Sequence, residues 1–379
     1  LADRIGRRPV VLGSVVTFGL FTLLTPFTSS IQELSAARFI AGCALGGIKP
    51  VIYALNIESA PRSMRSSVVA IVYVGFSLGQ ALSGAVAGLV IADWGWQAIF
   101  IVGGVAPLIV AVALVGALPE SLRFMAARPT LRARLAAQVG FVMQDSFIAS
   151  STTFTLGDEP SSPTGSKRRF ATRQLFAGPL KLITPLIYAA EICAIFVTHF
   201  FYNWTPTLMK MQGASTRTAS FGMSVYAIGA MLGPLVFTRL IDRHGPHWSY
   251  VAPCLATVFL ASGAVLPFGG VGALPIAFVI GFLVMGVQMS LGSLFMQCYP
   301  TAIRANATGL FILVGGIGSV SSPIVTGRLF ESGLSAQEVL LWITVPMACL
   351  VPLSWALSRQ YAAVMLPRVP VDDPDRLIA

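Results

Sequence analysis

Long apolar stretches separated by short polar segments dominate this chain. Each stretch is close to the length of about 20 residues that a helix needs to cross roughly 30 Å of hydrocarbon. A backbone in contact with lipid must satisfy its own hydrogen bonds, so we predict that every stretch is a helix. The pattern predicts an all-α, polytopic membrane protein with ten spans, at residues 9–28, 36–57, 67–91, 97–118, 181–204, 219–240, 249–268, 273–297, 305–328 and 338–358.

Polar motifs recur in the two halves of the chain at a constant offset of 239 residues. The opening octet LADRIGRR returns as LIDRHGPH at residues 240–247. The octet ESAPRSMR at 58–65 returns as QCYPTAIR at 297–304, and Gly88 corresponds to Gly327. One register holds from the opening octet to Gly88, which indicates two copies of one unit. Internal repeats of this kind are typical of membrane transporters.

The two copies differ in what precedes the repeated octet. Two predicted spans, 181–204 and 219–240, come before Asp242, whereas only Leu1 and Ala2 come before Asp3. We therefore expect a parent of twelve helices, built as six plus six, whose first two helices this chain lacks. The predicted domains are a remnant of the N-terminal helical half at 1–118, a cytoplasmic connector at 119–180, a C-terminal helical half at 181–360 and a cytoplasmic tail at 361–379.

Basic residues are distributed unevenly around the predicted spans. The formal net charge of +10 by itself would suit a nucleic-acid partner. If the first octet is cytoplasmic, 20 of the 25 lysines and arginines fall on the cytoplasmic side, as the positive-inside rule requires. We therefore predict a multi-pass protein of the plasma (inner) membrane, with both ends of the chain cytoplasmic and no nucleic-acid partner. The basic residues outside that side are Lys210, Arg217 and Arg328, with Arg38 and Lys49 inside a span.

Composition and motifs argue against other protein classes. Charged residues make up 11% of the chain, against about 25% in soluble domains. The five cysteines lie singly in apolar spans, which predicts neither a disulfide set nor a metal site. The hydrolase-like segment GFSLG lies in an apolar span with no strand before it, and no nucleotide-binding loop is present. We predict no enzyme activity and no cofactor, with a proton gradient as the energy source.

Several segments resemble a known transporter family. LADRIGRR is similar to the loop signature of the major facilitator superfamily, and RFIAGCALGG resembles its fourth-helix motif. ALGGIKPVIYALNIESAP, GFSLGQALSG, WGWQAIFIVGG, LPESLRF, YNWTPTL and YPTAIRANATG resemble the aromatic acid:proton symporters, which import benzoate- and hydroxybenzoate-like anions. The resemblance implies a fold of two pseudo-symmetric six-helix halves. In one respect the chain departs from that family: Ser319 stands where relatives often carry an arginine after a GIG triplet.

One predicted span, 36–57, carries a line of polar residues. At 100° per residue, Arg38, Lys49 and Asn56 share one face, with Tyr53 nearby. A lysine near the bilayer midplane costs about 2.5–3.5 kcal/mol on insertion scales and so usually faces a cavity or a partner. We interpret the line as a cradle for a substrate carboxylate. Alternatively, Lys49 pairs with an acid on an absent helix or snorkels, and Arg38 serves helix packing. Weaker candidates for substrate contact, with packing as the alternative, are Tyr73, Gln80 and Gln288.

Candidate proton-coupling residues lie in the span 181–204. Glu191 is the one acidic residue deep inside a predicted span, and His199 follows two turns later. Removal from water disfavours the charged form of a carboxyl group, and histidine titrates near neutral pH without help. Either residue could bind the coupled proton. The alternative is a neutral, hydrogen-bonded Glu191 and a His199 without function near the outer interface.

The repeated loop has a different predicted role. The family resemblance implies that Asp3 and Arg7 form a conformational latch, in which carboxylate–guanidinium bonds form in one state and break in another. The other members of the predicted latch are Arg4, Asp242 and Arg243. We expect the second copy to be weaker, since Pro246 replaces Arg7.

Three further charged residues are assigned to loops. Glu58 lies on the face opposite the polar line and is expected to pair with Arg62 or Arg65, holding the following loop. Arg304 is the counterpart of Arg65 in the second copy. All three are interpreted as structural.

These observations predict a monomeric secondary active transporter that works by alternating access. The predicted substrate is a small organic anion, such as an aromatic carboxylate, taken up with protons. Three alternatives stay open: a proton-driven exporter of amphiphilic compounds, a non-transporting membrane sensor and an inert truncated transporter.

Overall fold

The computed structural model describes most of the chain as helix. The described residues are 2–60, 64–126, 128–143, 172–178, 180–245, 247–263, 272–299 and 301–365. The middle of the predicted connector and most of the predicted tail lie outside these ranges.

Ten long helices occupy the ten predicted spans, which confirms the all-α, polytopic architecture. Within the described ranges, nine are long and apolar enough to cross a membrane, and the tenth, α7, has 16 residues. In chain order they are α1 Arg7–Leu24, α2 Ile31–Ser59, α3 Arg65–Trp94, α4 Gln97–Ala117, α5 Leu180–Met211, α6 Thr216–His244, α7 Trp248–Gly263, α8 Ala273–Cys298, α9 Thr301–Glu331 and α10 Ala336–Met365.

Serine caps define the starts of three of these helices. Ser30 accepts a hydrogen bond from the Glu33 backbone N–H at the start of α2. Ser215 and Ser335 do the same at the starts of α6 and α10, accepting from Thr218 at 3.1 Å and Glu338 at 3.3 Å. Such caps satisfy backbone donors that a helix N-terminus otherwise leaves free.

Contacts divide the chain into two compact units. The first comprises residues 1–76 and 90–165, and the second comprises 77–89 and 166–379. The middle of α3 therefore groups with the second unit, whereas its ends group with the first. The domain boundaries drawn from the sequence stay a prediction.

In the first unit, α1 packs against both α2 and α4. A Cβ atom added at Gly104 of α4 would lie 2.6 Å from the Leu23 backbone nitrogen, so this glycine permits close approach of α4 to α1. At the end of this unit, a short helix, Leu122–Ala126, precedes a longer one, Arg132–Met143.

In the second unit, α5 packs against α8, α9 and α10, and its buried face contains Phe200 and Phe201. The closest pair is α6 with α8. A Cβ atom added at Gly229 or Gly233 would collide with the backbone of Phe278 or Phe282. Glycine at these sites lets the two backbones touch, as small residues do between membrane helices.

Candidate functional site

A buried carboxyl group lies within the second unit. Glu191 projects from α5, and the Gln288 side chain on α8 donates from Nε2 to both of its carboxylate oxygens, at 3.0 and 3.1 Å. Both residues are buried. The other end of the amide, Gln288 Oε1, is buried without a hydrogen-bond partner among the described residues. From the sequence, Glu191 is assigned to proton coupling and Gln288 to substrate contact. Their pairing is not predicted.

Helix α9 forms a further wall beside Glu191. A Cβ atom added at Gly315 would lie 3.3 Å from Glu191 Oε1, and one at Gly318 would lie 2.5 Å from the Ile192 carbonyl oxygen. The GGIG segment therefore brings α9 against the acidic position of α5. No ion pair involves Glu191 among the described side chains, and its neighbours there include the Gln288 amide and Gly315 of α9.

The second candidate proton site, His199, lies two turns further along α5. Its Nδ1 is 3.1 Å from the Ile195 carbonyl oxygen, and its ring meets the Tyr202 ring edge to face at 6.2 Å. Tyr202 donates to Gln80 Oε1 at 3.3 Å, so Gln80 faces α5 within the second unit. The structure thus links Gln80 to the face that carries His199, a contact that the sequence did not predict.

A cavity of about 690 Å³ lies between α2 and α3 in the first unit. Tyr53 and Phe76 provide its aromatic walls, and Ile48, Ile52 and Val72 line it with aliphatic groups. Among the described residues, the Tyr53 hydroxyl has no hydrogen-bond partner, so it is available to a bound molecule.

The other residues that the sequence assigns to the substrate site do not line this cavity in the described structure. Asn56 donates to the Ile52 carbonyl oxygen of its own helix at 2.9 Å. Lys49 is helical, but its side chain, like that of Tyr73, lies outside the described part of the structure. Their contact with substrate stays a prediction from the sequence.

Arg38 is held by the helix that precedes it. Its Nη2 donates to Thr25 Oγ1 at 2.7 Å and to the Phe21 carbonyl oxygen at 3.2 Å. The guanidinium also lies 5.2 Å from the centre of the Phe100 ring. These contacts join α2 to α1 and α4, which favours the packing role that the sequence left open.

The predicted loop charges meet in the first unit. Arg7 at the start of α1 forms an ion pair with Glu58 at the end of α2, and both side chains are largely buried, at 16% and 12% exposure. Ser121 donates to Glu58 Oε2 at 2.7 Å, and Arg123 lies 4.0 Å from Glu58 Oε1. The sequence expected Glu58 to pair with Arg62 or Arg65, whose side chains lie outside the description. The described ion pair with Arg7 connects Glu58 to α1, and the pairing with Arg62 or Arg65 stays a prediction.

Glu120 contributes to this loop in a way that the sequence did not anticipate. Its Oε1 accepts from the backbone N–H groups of Arg7 at 2.8 Å and Arg8 at 3.2 Å. The carboxylate therefore caps the N-terminus of α1, where negative charge is favoured. Gly6 makes this possible: its φ is +111°, and an added Cβ would lie 2.5 Å from Glu120 Oε2. The available signal was the acid directly after a predicted span.

We call the contacts of Arg7, Glu58, Glu120 and Ser121 the loop network. Of the other predicted latch residues, Arg4 accepts a hydrogen bond through its carbonyl oxygen from Arg128, and Arg243 is exposed. The side chains of Asp3, Asp242 and Arg304 lie outside the description.

Known proteins with similar sequences are membrane transporters. The chain is 29% identical to the 4-hydroxybenzoate transporter PcaK of Pseudomonas putida, covering 92% of this chain and 77% of that protein. It is 30% identical to the 3-(3-hydroxy-phenyl)propionate transporter of Escherichia coli (strain K12), covering 90% and 75%. It is 28% identical to the gallate transporter of Pseudomonas putida, covering 91% and 76%.

Solved structures support the fold. A bacterial homolog to the human lysosomal transporter Spinster, in an inward-facing and unoccupied conformation, matches with a TM-score of 0.69 at 15% identity. The match covers 96% of this chain and 85% of that one. A family profile described as the Major Facilitator Superfamily matches residues 1–323. The ten long helices, the duplicated loop and this match agree: the chain is a multi-pass membrane transporter, not an enzyme, and belongs to the Major Facilitator Superfamily.

Proposed function

We propose that this protein imports an aromatic carboxylate together with protons, by alternating access, across the plasma (inner) membrane. The proposal places both ends of the chain in the cytoplasm and treats the monomer as the working unit. The names of the similar transporters support the substrate class. The observation that carries proton coupling is the buried Glu191–Gln288 pair, because it sets a titratable group inside the membrane-spanning part of the chain.

The amide partner suits a site that gains and loses a proton. An ionised Glu191 accepts from Gln288 Nε2, as the structure has it. A protonated Glu191 has an O–H group to donate, and Gln288 Oε1 is the buried acceptor without a partner. A glutamine side chain offers both a donor and an acceptor. Gln288 can therefore satisfy either state of the carboxyl group, without the fixed counter-charge that a lysine or arginine would impose.

The cavity of the first unit suits the aromatic ring of the substrate. Tyr53 and Phe76 offer ring faces, and the Tyr53 hydroxyl can bond a ring hydroxyl or a carboxylate. Lys49 lies four residues before Tyr53 and so belongs to the same helix face by sequence. We assign it to the substrate carboxylate. Arg38 already has hydrogen-bond acceptors near the opposite end of the span, so we assign it to packing.

Transport by the purified protein tests the coupling. In proteoliposomes, an inward proton gradient should drive accumulation of labelled 4-hydroxybenzoate. Glu191→Gln should abolish that accumulation while keeping exchange of labelled for unlabelled substrate, because the amide cannot carry the proton. Glu331→Gln, which changes an exposed acid at the end of α9, should transport normally.

Two of the three alternatives, the exporter and the sensor, have distinct outcomes in this assay. Gradient-driven accumulation by Glu191→Gln would contradict the proposed role of Glu191. Movement of substrate against the direction of the proton gradient would identify an exporter. Specific substrate binding without exchange would identify a sensor.

The substrate cavity has a separate test. Tyr53→Leu should raise the concentration of 4-hydroxybenzoate needed for half-maximal exchange, because it removes one ring wall and the hydroxyl. The matched control is Phe39→Leu, which removes an exposed aromatic ring of the same helix. Equal effects of the two substitutions would contradict the placement of the substrate ring.

A further inference from the structure

Two cavities adjoin at the loop-network end of the first unit. One, of about 620 Å³, lies where the start of α1 meets the helices Leu122–Ala126 and Arg132–Met143. The other, of about 410 Å³, is an open groove between α1 and α2. Ile5 and Pro9 line both, so the two spaces are neighbours along the start of α1.

The first cavity carries an excess of positive charge. Arg8, Arg128 and Arg134 line it, and Glu120 is the one acid among its lining residues. The Glu120 carboxylate is already engaged, since its Oε1 accepts backbone N–H groups at the start of α1. The cavity therefore attracts an anion.

None of the three guanidinium groups is paired with a carboxylate among the described side chains. Arg8 donates to the Val115 carbonyl oxygen, and its Nε is buried without an acceptor. Arg128 donates to the Arg4 carbonyl oxygen and lies 4.4 Å from the centre of the Phe124 ring. Arg134 is exposed. Arginines in this state favour an oxyanion, and phosphate geometry matches their donors.

The second cavity is apolar and follows the membrane-spanning direction of α1. Its lining residues beyond Ile5 and Pro9 are Val10, Gly13, Ser14 and Thr17 on α1, and Ile40, Cys43 and Ala44 on α2. Any groove on a lipid-facing surface can hold an acyl chain. This groove differs because it shares Ile5 and Pro9 with the cavity that the arginines line.

We propose that the two cavities form one site for an anionic phospholipid of the adjacent leaflet. The phosphodiester binds Arg8, Arg128 and Arg134, and one acyl chain lies in the groove between α1 and α2. Basic pockets between membrane helices are suited to such headgroups. A free phosphate would use the arginines alone, so the apolar groove is the reason for assigning a lipid. The site is separate from the proposed proton and substrate sites.

Native mass spectrometry of the detergent-purified protein tests the headgroup. Phosphatidylglycerol should bind more tightly than phosphatidylcholine with the same acyl chains. Arg128→Gln combined with Arg134→Gln should weaken phosphatidylglycerol binding by roughly 30-fold, about fivefold for each charge. Arg239→Gln combined with Arg359→Gln removes the same charge from exposed sites outside the cavity and should have little effect.

The groove has its own test. Gly13→Leu should place a side chain in the groove without a clash in the fold, because an added Cβ at Gly13 meets nothing within 4 Å. It should weaken phosphatidylglycerol binding, whereas Gly309→Leu, also at an exposed and open helical glycine, should not.

Three results would overturn the proposal. One is equal binding of the two lipids, and another is unchanged binding after loss of Arg128 and Arg134. The third is displacement of the lipid by millimolar inorganic phosphate together with no effect of Gly13→Leu, which would show a site for free phosphate.

Discussion

The loops before α1 and before α7 lie 239 residues apart in the repeat, and each contains a glycine that no other residue replaces easily. Gly6 has a φ of +111° and Gly245 a φ of +93°. At Gly6, an added Cβ would meet Glu120 Oε2 at 2.5 Å, whereas at Gly245 its nearest neighbour is the His247 ring at 3.6 Å. Both loops require the same backbone turn, but among the described side chains a carboxylate occupies the space beside it only in the first.

Replacement of acids accounts for this difference. At the offset of the repeat, Gln297 stands for Glu58 and Arg359 stands for Glu120. Helix α4 ends at Ala117, so the chain can turn and bring Glu120 back to α1, whereas α10 continues as helix through Arg359. The backbone turn is therefore separable from the loop network. The second copy retains the turn and lacks the acids.

The largest expected difference concerns the ion pair of the first loop. Glu58→Gln should lower the free energy of unfolding by about 3 kcal/mol, because it leaves Arg7 largely buried without its counter-charge. Arg243→Gln, at an exposed arginine of the second loop, should change it by less than about 0.5 kcal/mol. Thermal unfolding in detergent measures both. Similar effects of the two variants would show that the ion pair does not distinguish the first loop from the second. Combining Glu58→Gln with Arg7→Gln should recover part of the loss.

The two glycines give the next largest difference. Both Gly6→Ala and Gly245→Ala force a non-glycine residue into a strained backbone region, at a cost of order 1–3 kcal/mol. Gly6→Ala should be worse by about 1–2 kcal/mol, because its methyl group also displaces the Glu120 cap. The same unfolding measurement compares them, and equal losses would show that Glu120 contributes nothing to the turn.

Removing the cap alone should have a smaller effect. Glu120→Gln keeps an oxygen acceptor for the Arg7 and Arg8 backbone N–H groups but loses the negative charge at the start of α1. We expect a loss of about 1 kcal/mol in unfolding free energy, decreasing with added salt. A loss independent of salt would indicate that geometry, not charge, stabilises this helix start.

The smallest effect is expected from adding an acid to the second loop. Arg359→Glu places a carboxyl group at the position equivalent to Glu120, but Pro246 occupies the position of Arg7 and has no backbone N–H to donate. We expect a change below about 0.5 kcal/mol. A clear gain in thermal stability would show that the second loop needs only the acid to rebuild the cap.

The sequence predicted the helices well because membrane spans are defined by length and apolar content alone. It also placed Glu191 correctly inside a span, since a lone acid among apolar residues is visible without a structure. It did not predict that Gln288 pairs with Glu191, or that Glu58 contacts Arg7. Both pairings join residues that are distant in sequence, at 97 positions for the first pair, so no local spacing reports them.

Glu120 shows a different reason for a missed contact. An acid after a span resembles an ordinary solvated loop residue, and its role depends on where α1 begins in space. The roles of Lys49, Asp3 and Asp242 stay predictions, because their side chains lie outside the described structure.

The direct backbone contact of α6 with α8 has a mechanical consequence. The backbones of Phe278 and Phe282 lie directly against Gly229 and Gly233. Sliding one helix past the other would press bulkier side chains against the facing backbone. The two helices should therefore move as one rigid pair. Any rearrangement inside the second unit should then move the other helices and keep α6 and α8 together.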